Sequence, residues 1–258
     1  MNQPSTSRQE PSIFNATHLK VMAIIAMLID HYAWAFVPLN SVEGQLLHGV
    51  GRFTFPIMAF FIAEGFFYTK NFKRYLSRMA LFALISHFAF QYFQFGRIPL
   101  FSPQPQDTFL SFTYTGILYT FSLGLIALWI IQKWEGPTYA KGILIFLISV
   151  LATPGDYMFY APLLIVMFGI HHGDLTEQLK SGLFIIAFLV ISTMQPNWRE
   201  STFMIATFIP LLFLRYYNGE QGAGKHPLIK YSFYIFYPLH LFIIAYVRYE
   251  ILNLAPLF

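Results

Sequence analysis

Nine mainly apolar stretches run along the chain, separated by short polar or basic segments. A helix needs about 20 predominantly apolar residues to cross the hydrocarbon core of a bilayer, within a range near 17–25. The pattern therefore predicts an all-α, polytopic integral membrane helix bundle of about nine transmembrane helices. The predicted spans are residues 18–38, 48–68, 75–95, 108–132, 142–154, 157–171, 181–195, 201–217 and 229–248.

The fifth and sixth stretches are shorter than a full span. They flank Thr153-Pro154-Gly155-Asp156, and a Pro-Gly pair is a strong turn signal. Two interpretations stay open for these stretches: two short spans, or one re-entrant hairpin that enters and leaves the membrane on the same side.

The distribution of basic residues predicts the orientation. With a cytoplasmic N-terminus, 12 of the 16 Lys and Arg residues fall on the cytoplasmic side, and the outer side holds Arg52, Arg97, Arg199 and Arg248. Cytoplasmic loops of membrane proteins carry such an excess of positive charge. Merging the two short stretches into one span would move Arg215, Lys225 and Lys230 outside, so we predict separate spans with the C-terminus outside.

Composition agrees with this class. Apolar residues make up 56% of the chain and charged residues 11%, against about 25% charged in a typical soluble domain. The net charge of +4 lies mostly in loops, so we interpret it as a topology signal and predict no nucleic-acid partner.

The chain has no cysteine, which excludes disulfides and a cysteine nucleophile. No CxxC or HExxH spacing occurs either, so no metal site is predicted.

Residues 1–17 are polar and lack the charged start, apolar core and cleavage site of a signal peptide. We predict a polar cytoplasmic tail over 1–17 and a single transmembrane domain over 18–258. The first apolar stretch is then a retained span.

Two ionisable residues, Asp30 and His31, interrupt the first predicted span. A charged side chain at a helix centre costs about 2.5–3.5 kcal/mol on translocon scales, so such residues usually face the bundle interior and have a partner or a function. His31 fits a catalytic general base, because imidazole exchanges protons near neutral pH. Asp30 fits a partner for Arg52, which begins the next span on the same side. The alternative is a buried ion pair that locks two helices together.

A second set of charges is predicted at the cytoplasmic end. Glu64 lies near the inner end of the second span, within reach of Arg74 and Arg78 at the start of the third. In the functional interpretation the two arginines bind phosphates of a cytosolic cofactor while Glu64 orients them. In the structural interpretation the three residues form a clamp.

The segment from Asn218 to Lys225 is rich in glycine but lacks the Gly-Lys-Ser/Thr ending of a P-loop. It is either a flexible cytoplasmic loop or backbone that approaches a phosphate-bearing ligand with Lys225, His226 and Lys230.

Further polar residues are candidates for lining a substrate cavity together with Arg52. Asp156 and Tyr157 fall at the turn between the two short spans, while Tyr237 and His240 lie in the last span. The alternatives are a solvated aspartate at a turn and a histidine satisfied by its neighbours.

Several of these motifs, in this order and spacing, resemble the TraX family, which is named for a conjugative-pilin N-acetylase. The matching residues are Leu28-Ile29-Asp30-His31, Gly51-Arg52, Glu64-Gly65-Phe66, Tyr75 to Arg78, Asp156-Tyr157, Tyr217-Asn218-Gly219 and Tyr237-Pro238-Leu239-His240-Leu241.

The resemblance implies a transferase of the bacterial cytoplasmic (inner) membrane that uses acetyl-CoA as cosubstrate and acts on a peptide, pilin or glycan acceptor. His31 matches the position of the catalytic histidine in related membrane acyltransferases. We therefore expect the phosphates of acetyl-CoA at Arg74 and Arg78, with Asn218, Lys225 and Lys230 nearby. The pantetheine arm would run past Glu64, and transfer would be direct, with Asp30 beside the base.

Two other functional classes also fit the sequence. A transporter or lipid flippase would explain broken helices and intramembrane charges equally well. A structural membrane protein without turnover would need the charges only as helix clamps.

Overall fold

The computed structural model describes residues 13–195, 197–222 and 227–257, and within the last range it describes side chains from Tyr231 onward. In this part of the chain the regular structure is helical, as predicted, with two isolated backbone bridges. The helices are α1 Ala16–Phe36, α2 Val42–Gly51, α3 Thr54–Tyr68, α4 Phe72–Phe95, α5 Phe109–Thr113, α6 Ile117–Lys133, α7 Thr138–Leu151, α8 Tyr160–Ile170, α9 Leu175–Met194, α10 Ile209–Arg215 and α11 Pro227–Tyr246. A 3₁₀ helix, Thr202–Phe208, leads into α10, and a π-helical turn, Val247–Ile251, follows α11.

Three helical segments in the described ranges are long and apolar enough to cross a membrane: α1, α9, and Val42–Tyr68, which combines α2 and α3. Shorter apolar helices occupy Ile117–Lys133, Thr138–Leu151, Tyr160–Ile170 and Thr202–Arg215. Each predicted span coincides with helical structure, but several helices are shorter than a bilayer requires. The all-helical class is thus confirmed, while the number of nine spans stays a prediction.

Side-chain caps set where several helices begin. The side chains of Asn15, Ser41, Asn71 and Asp174 each accept a hydrogen bond from the backbone N–H three residues later, at 2.9–3.1 Å. Such caps satisfy one of the free N–H groups in the first turn of a helix. Gly96, with φ +64°, ends α4 in the left-handed conformation that glycine adopts at low cost.

The centre of the bundle lies where α3, α6 and α8 meet. Phe55, Phe60, Phe121 and Phe168 are almost completely buried there. Helices α6 and α8 approach closely because glycines face large side chains across their interface. A Cβ at Gly124 would lie 2.5 Å from Ile165, and one at Gly169 would lie 2.3 Å from Leu128. Small residues at membrane helix interfaces allow this approach.

The fourth predicted span, 108–132, is interrupted at residues 114–116, which separate the short α5 from α6. Two backbone hydrogen bonds tie this break to the turn between α7 and α8. Thr115 N–H donates to the Pro154 carbonyl at 3.0 Å, and Asp156 N–H donates to the Thr115 carbonyl at 3.1 Å. The Gln91 amide holds α5 through the Ser111 carbonyl, also at 3.0 Å. As a result, the N-terminus of α6 lies next to the turn that carries Asp156.

A long loop joins α4 to α5. Arg97 holds it closed by donating two hydrogen bonds to the Asp107 carboxylate, one of them 2.8 Å long. These bonds hold the pKa of Asp107 below its ordinary value.

The start of α1 is fixed to the end of α10. Asn218 N–H donates to the Phe14 carbonyl at 2.9 Å, and Ala16 N–H donates to the Glu220 carbonyl at 2.8 Å. Lys225 and His226, which the phosphate-loop interpretation uses, lie outside the described residues, as does the side chain of Lys230.

Candidate functional site

A cavity of about 150 Å³ lies between α1, the start of α3, α4, the start of α6, the α7–α8 turn and α11. A cavity of this volume can hold a molecule the size of benzene, so this space admits a small group and not a whole cofactor. Aromatic side chains form much of its wall. Six residues predicted for the site line it, namely Asp30, His31, Arg52, Asp156, Tyr157 and Tyr237.

An ion pair between Asp30 and Arg52 forms one wall, as the sequence predicts. Arg52 Nη2 lies 2.5 Å from Asp30 Oδ2. The other carboxylate oxygen lies 2.7 Å from His48 Nδ1. Because a carboxylate only accepts, that nitrogen of His48 donates the hydrogen bond. Both carboxylate oxygens are therefore engaged, which lets this charge persist inside the bundle.

His48 is a residue that the sequence reasoning missed. It is completely buried between the rings of Trp34 and Phe203. Its position four residues before Arg52 was the available signal, since residues four apart share a helix face. That signal was weak, because α2 also contains three glycines and a glutamate.

Arg52 also reaches the turn between α7 and α8. Its Nη1 donates to the Tyr157 hydroxyl at 3.0 Å, and the Tyr157 ring stacks on Phe55 with centroids 3.9 Å apart. The backbone at this point is strained, because Tyr157 and Met158 have φ of +56° and +46°. Non-glycine residues adopt such values at a cost of roughly 1–3 kcal/mol each, and they cluster at functional sites. The contacts with Arg52 and Phe55 hold Tyr157 in this conformation.

Two histidines meet on the side of the cavity nearest α11. His240 Nδ1 lies 2.7 Å from the Phe236 carbonyl, which can only accept, so this nitrogen carries a proton. In a neutral ring His240 Nε2 is then an acceptor, and it lies 2.9 Å from His31 Nδ1. His31 Nδ1 must donate, which leaves His31 Nε2 as an unprotonated nitrogen. The Phe236 carbonyl thereby sets the tautomers of both rings.

The Tyr237 hydroxyl lies at the N-terminus of α6. It accepts a hydrogen bond from Ile117 N–H at 3.3 Å. Gly116 makes room for this contact, because a Cβ there would lie 2.2 Å from the hydroxyl oxygen. Tyr237 precedes His240 by one helical turn, so the two residues present the same face of α11 to His31.

Two hydrogen-bond acceptors on the cavity wall, the Asp156 carboxylate and Gln94 Oε1, have no hydrogen-bond donor among the described residues. The backbone of Asp156 is held by Thr115 and Thr120, but its carboxylate makes no such contact. Gln94 Oε1 is buried without a partner. Sequence reasoning missed Gln94, although its spacing of three residues from Gln91 places both amides on one side of the apolar helix α4.

Glu64 has other partners than those predicted. It accepts hydrogen bonds from His172 Nδ1 at 2.9 Å and from Gln178 Nε2 at 3.2 Å. The expected pairing with Arg74 or Arg78 is wrong, because the end of α3 faces the α8–α9 connection. His172 also stacks on Phe67, with centroids 3.9 Å apart. Glu64 thus joins α3 to α8 and α9.

Arg78 lies among three tyrosines. Its guanidinium carbon is 5.6 Å from the ring centroid of Tyr75, 5.8 Å from that of Tyr231 and 5.1 Å from that of Tyr234. Its Nε is buried without a hydrogen-bond partner among the described residues. Arg74 lies at the surface in the first turn of the same helix. Of the two arginines predicted to bind phosphate, Arg78 is therefore the one with a buried donor, Nε, that no described residue uses.

The residues predicted to bind the cofactor are not gathered at the cavity. Glu64 follows Arg52 by 12 residues, which corresponds to about 18 Å along the helical segment Val42–Tyr68. Asn218 takes part in a local turn, where its Oδ1 accepts from Glu220 N–H at 2.8 Å. The described residues contain no group of three or more His, Asp or Glu side chains suited to a metal ion. The prediction that no metal is used stays a prediction.

Comparison with known proteins identifies the family. The family model described as TraX protein matches residues 15–248, which include every residue of the cavity described above. A probable fimbrial assembly protein, FimC of serogroup H1 from Dichelobacter nodosus, is 31% identical over 234 residues, covering 88% of this chain and 93% of that protein. No solved structure matches the chain. This membrane-like helical protein belongs to the TraX family.

Proposed function

We propose that the protein is a multi-pass enzyme of the bacterial cytoplasmic membrane that transfers an acetyl group from acetyl-CoA to an amine or hydroxyl acceptor. One observation carries this proposal: His31 faces the cavity with Nδ1 committed to His240 and Nε2 left to take up a proton. A nitrogen of that kind is what a general base requires. Membership of a family named for pilin acetylation supports the same reaction class.

In the proposed reaction the acceptor nitrogen or oxygen attacks the carbonyl carbon of the thioester. A bond forms from the acceptor to this carbon, and the carbon–sulfur bond breaks. His31 Nε2 takes the proton that the acceptor loses and passes it to the departing sulfur, which leaves as the free thiol of coenzyme A. The imidazole ends the cycle neutral, and no covalent enzyme intermediate forms.

The charged residues around His31 keep the site ordered. Asp30 and Arg52 offset each other's charge and are fixed by His48 and Tyr157, so they supply a constant field without adding net charge. The carboxylate of Asp156 is the group left to accept a hydrogen bond from the attacking amine or hydroxyl.

Acetyl-CoA would approach from the cytoplasmic end, with its phosphates at Arg74 and Arg78 and with Lys225 and Lys230 nearby. The distance of about 18 Å from Glu64 to Arg52, along the helical segment Val42–Tyr68, favours a cosubstrate with a long, narrow arm. Phe55 and Phe60 are buried on α3 between these ends, so an arm that followed this helix would have to displace buried side chains.

The relative from Dichelobacter nodosus is named as a probable fimbrial assembly protein. Among the acceptors considered above, this name favours the N-terminal amine of a fimbrial or pilin subunit over a glycan.

The test uses purified full-length protein in detergent with isotopically labelled acetyl-CoA, following thiol release and label transfer to peptide and glycan mixtures. His31→Ala should lower the transfer rate by at least 10²-fold, since general bases contribute about 10²–10⁴. His171→Ala, at the end of α8, is the matched control and should keep the wild-type rate. Wild-type protein that neither releases thiol nor transfers label would refute the enzyme, and an active His31→Ala variant would refute the base.

A transporter is the second candidate, because the break at residues 114–116 places the end of a helix at a polar cavity. Many transporters bind substrates at such interrupted helices. Coenzyme A should raise the melting temperature of the acetyltransferase but not that of a transporter with an unrelated substrate.

A further inference from the structure

Two tyrosine hydroxyls on the cavity wall each accept a hydrogen bond from a fixed, positively polarised donor. The Tyr157 oxygen accepts from the Arg52 guanidinium at 3.0 Å, and the Tyr237 oxygen accepts from Ile117 N–H at 3.3 Å. The second donor belongs to the first turn of α6, where the aligned peptide dipoles leave a partial positive charge. Accepting from such donors draws electron density from each phenol and makes its own O–H a stronger hydrogen-bond donor.

The protons of both hydroxyls remain available. A phenol carries a single O–H, and each of these oxygens acts only as an acceptor within the described residues. Because Tyr157 and Tyr237 both line a cavity of about 150 Å³, their protons are left for whatever occupies that space.

Local structure fixes both phenols before any ligand binds. Tyr157 is held by the left-handed backbone of its turn and by stacking on Phe55. Tyr237 is 3% exposed, and its oxygen occupies the space that the missing side chain of Gly116 leaves. Donors fixed in advance stabilise a developing charge without the cost of reorienting at the moment of reaction.

From this geometry we infer that Tyr157 and Tyr237 form the oxyanion hole of the site, which rests on the acetyl transfer proposed above. Their hydroxyls donate to the carbonyl oxygen of the bound thioester. When the acceptor attacks, the carbonyl π electrons move onto that oxygen, and both hydrogen bonds shorten around the negative charge. The electrons return as the carbon–sulfur bond breaks, and neither tyrosine loses its proton.

This arrangement divides the cavity into two functional sides. His31 and Asp156 contribute acceptors, which suit the N–H or O–H of the attacking group. Tyr157 and Tyr237 contribute donors, which suit the carbonyl oxygen. Hydrogen bonds from the two sides can therefore orient the thioester and the attacking amine or hydroxyl at the same time, although both groups are uncharged before the reaction begins.

The test compares Tyr157→Phe, Tyr237→Phe and the double variant with wild-type protein. Phenylalanine keeps the ring packing and removes only the hydroxyl. We expect kcat to fall by about 10²–10³-fold in each single variant, the range found when one oxyanion donor is removed, with little change in the KM for acetyl-CoA. The control is Tyr160→Phe. Tyr160 lies on α8 outside the cavity wall, and its hydroxyl is 2.6 Å from the hydroxyl of Ser192 on α9.

A spectroscopic readout makes the inference independent of turnover. Isotope-edited infrared spectra of ¹³C-acetyl-CoA bound to the His31→Ala variant should show the thioester carbonyl stretch at lower frequency than in water. Adding either tyrosine substitution should move the band back. If the wild-type protein turns over and the tyrosine variants keep its kcat and its carbonyl frequency, the oxyanion hole is wrong but the proposed acetyl transfer stands. Absence of acetyl-CoA binding and turnover in wild-type protein would overturn the proposed function and this inference with it.

Discussion

Glycines position two of the cavity side chains by leaving space for them. A Cβ at Gly51 would lie 2.3 Å from the Cβ of Asp30, and a Cβ at Gly116 would lie 2.2 Å from the hydroxyl oxygen of Tyr237. No side chain can be added at either position without moving a residue of the site. Both glycines therefore help to fix the positions of side chains that line the cavity.

Gly116→Ala should displace Tyr237 from α6. Overfilling a well-packed site costs about 1–3 kcal/mol, so we expect a lower melting temperature in detergent and slower thiol release. Gly142→Ala is the matched control, because nothing lies within 4 Å of a Cβ there, and alanine in a helix is favoured by up to about 1 kcal/mol. Equal melting temperatures and rates in the two variants would contradict this role of Gly116.

His48 should act through its bond to Asp30. His48→Leu removes the donor and leaves one carboxylate oxygen buried without it, which should cost about 1.5–3 kcal/mol. His48→Asn can place an amide N–H near the position of Nδ1 and should recover part of that loss. Denaturant unfolding in detergent would compare the two variants. If the asparagine variant is no more stable than the leucine variant, the hydrogen bond to Asp30 does not explain the contribution of His48 to stability.

At the scale of helices and turns, the sequence predicted the features that neighbouring residues determine and missed those that depend on residues far apart in the chain. Most helix ends were placed to within four residues, because apolar length is a local feature, but α2 and α9 begin six residues before the predicted spans 48–68 and 181–195. Asp30 and Arg52 were paired correctly, because charges in hydrocarbon must meet at the same depth. The partners of Glu64 were missed, since His172 and Gln178 lie 108 and 114 residues away along the chain. The break before α6 was missed because Thr115 bonds to Pro154, which no local pattern reveals.

The hydrogen bond from Thr120 on α6 to the α7–α8 turn can be tested by substitution. Thr120 is fully buried, and its hydroxyl donates to the carbonyls of Asp156 and Ile117 at 3.0 and 2.9 Å. Thr120→Val should leave the Asp156 carbonyl unpaired, at a cost of about 1–3 kcal/mol, and speed amide hydrogen exchange at Asp156. Thr193→Val is the control, since the Thr193 hydroxyl bonds only to carbonyls of its own helix. Exchange rates that do not differ between the variants would count against this contact.

At the scale of the whole molecule, orientation in the membrane is open to direct measurement, because the chain has no cysteine to remove. Single cysteines can be placed at exposed positions of successive loops and labelled with a reagent that does not cross membranes. We expect labelling from outside at residues 43, 104, 153 and 200, and only after permeabilisation at residues 73, 135 and 176.

Two of these positions separate the competing topologies. If α7 and α8 formed a re-entrant hairpin from the cytoplasm, Thr153→Cys would not be labelled from outside. If the two helices made one span, Thr176→Cys would be labelled from outside. Labelling of Thr153→Cys together with protection of Thr176→Cys is the pattern expected for two spans.

The contact between His31 and His240 joins residues 209 positions apart, and the contact between Arg52 and Tyr157 joins residues 105 apart. A growing polypeptide still attached to the ribosome has its first histidine in place long before the last helix has been synthesised. Until then the imidazole lacks the neighbour that fixes its tautomer. Under the proposed function, the site is complete only after α11 has been inserted beside α1 and His240 has reached His31.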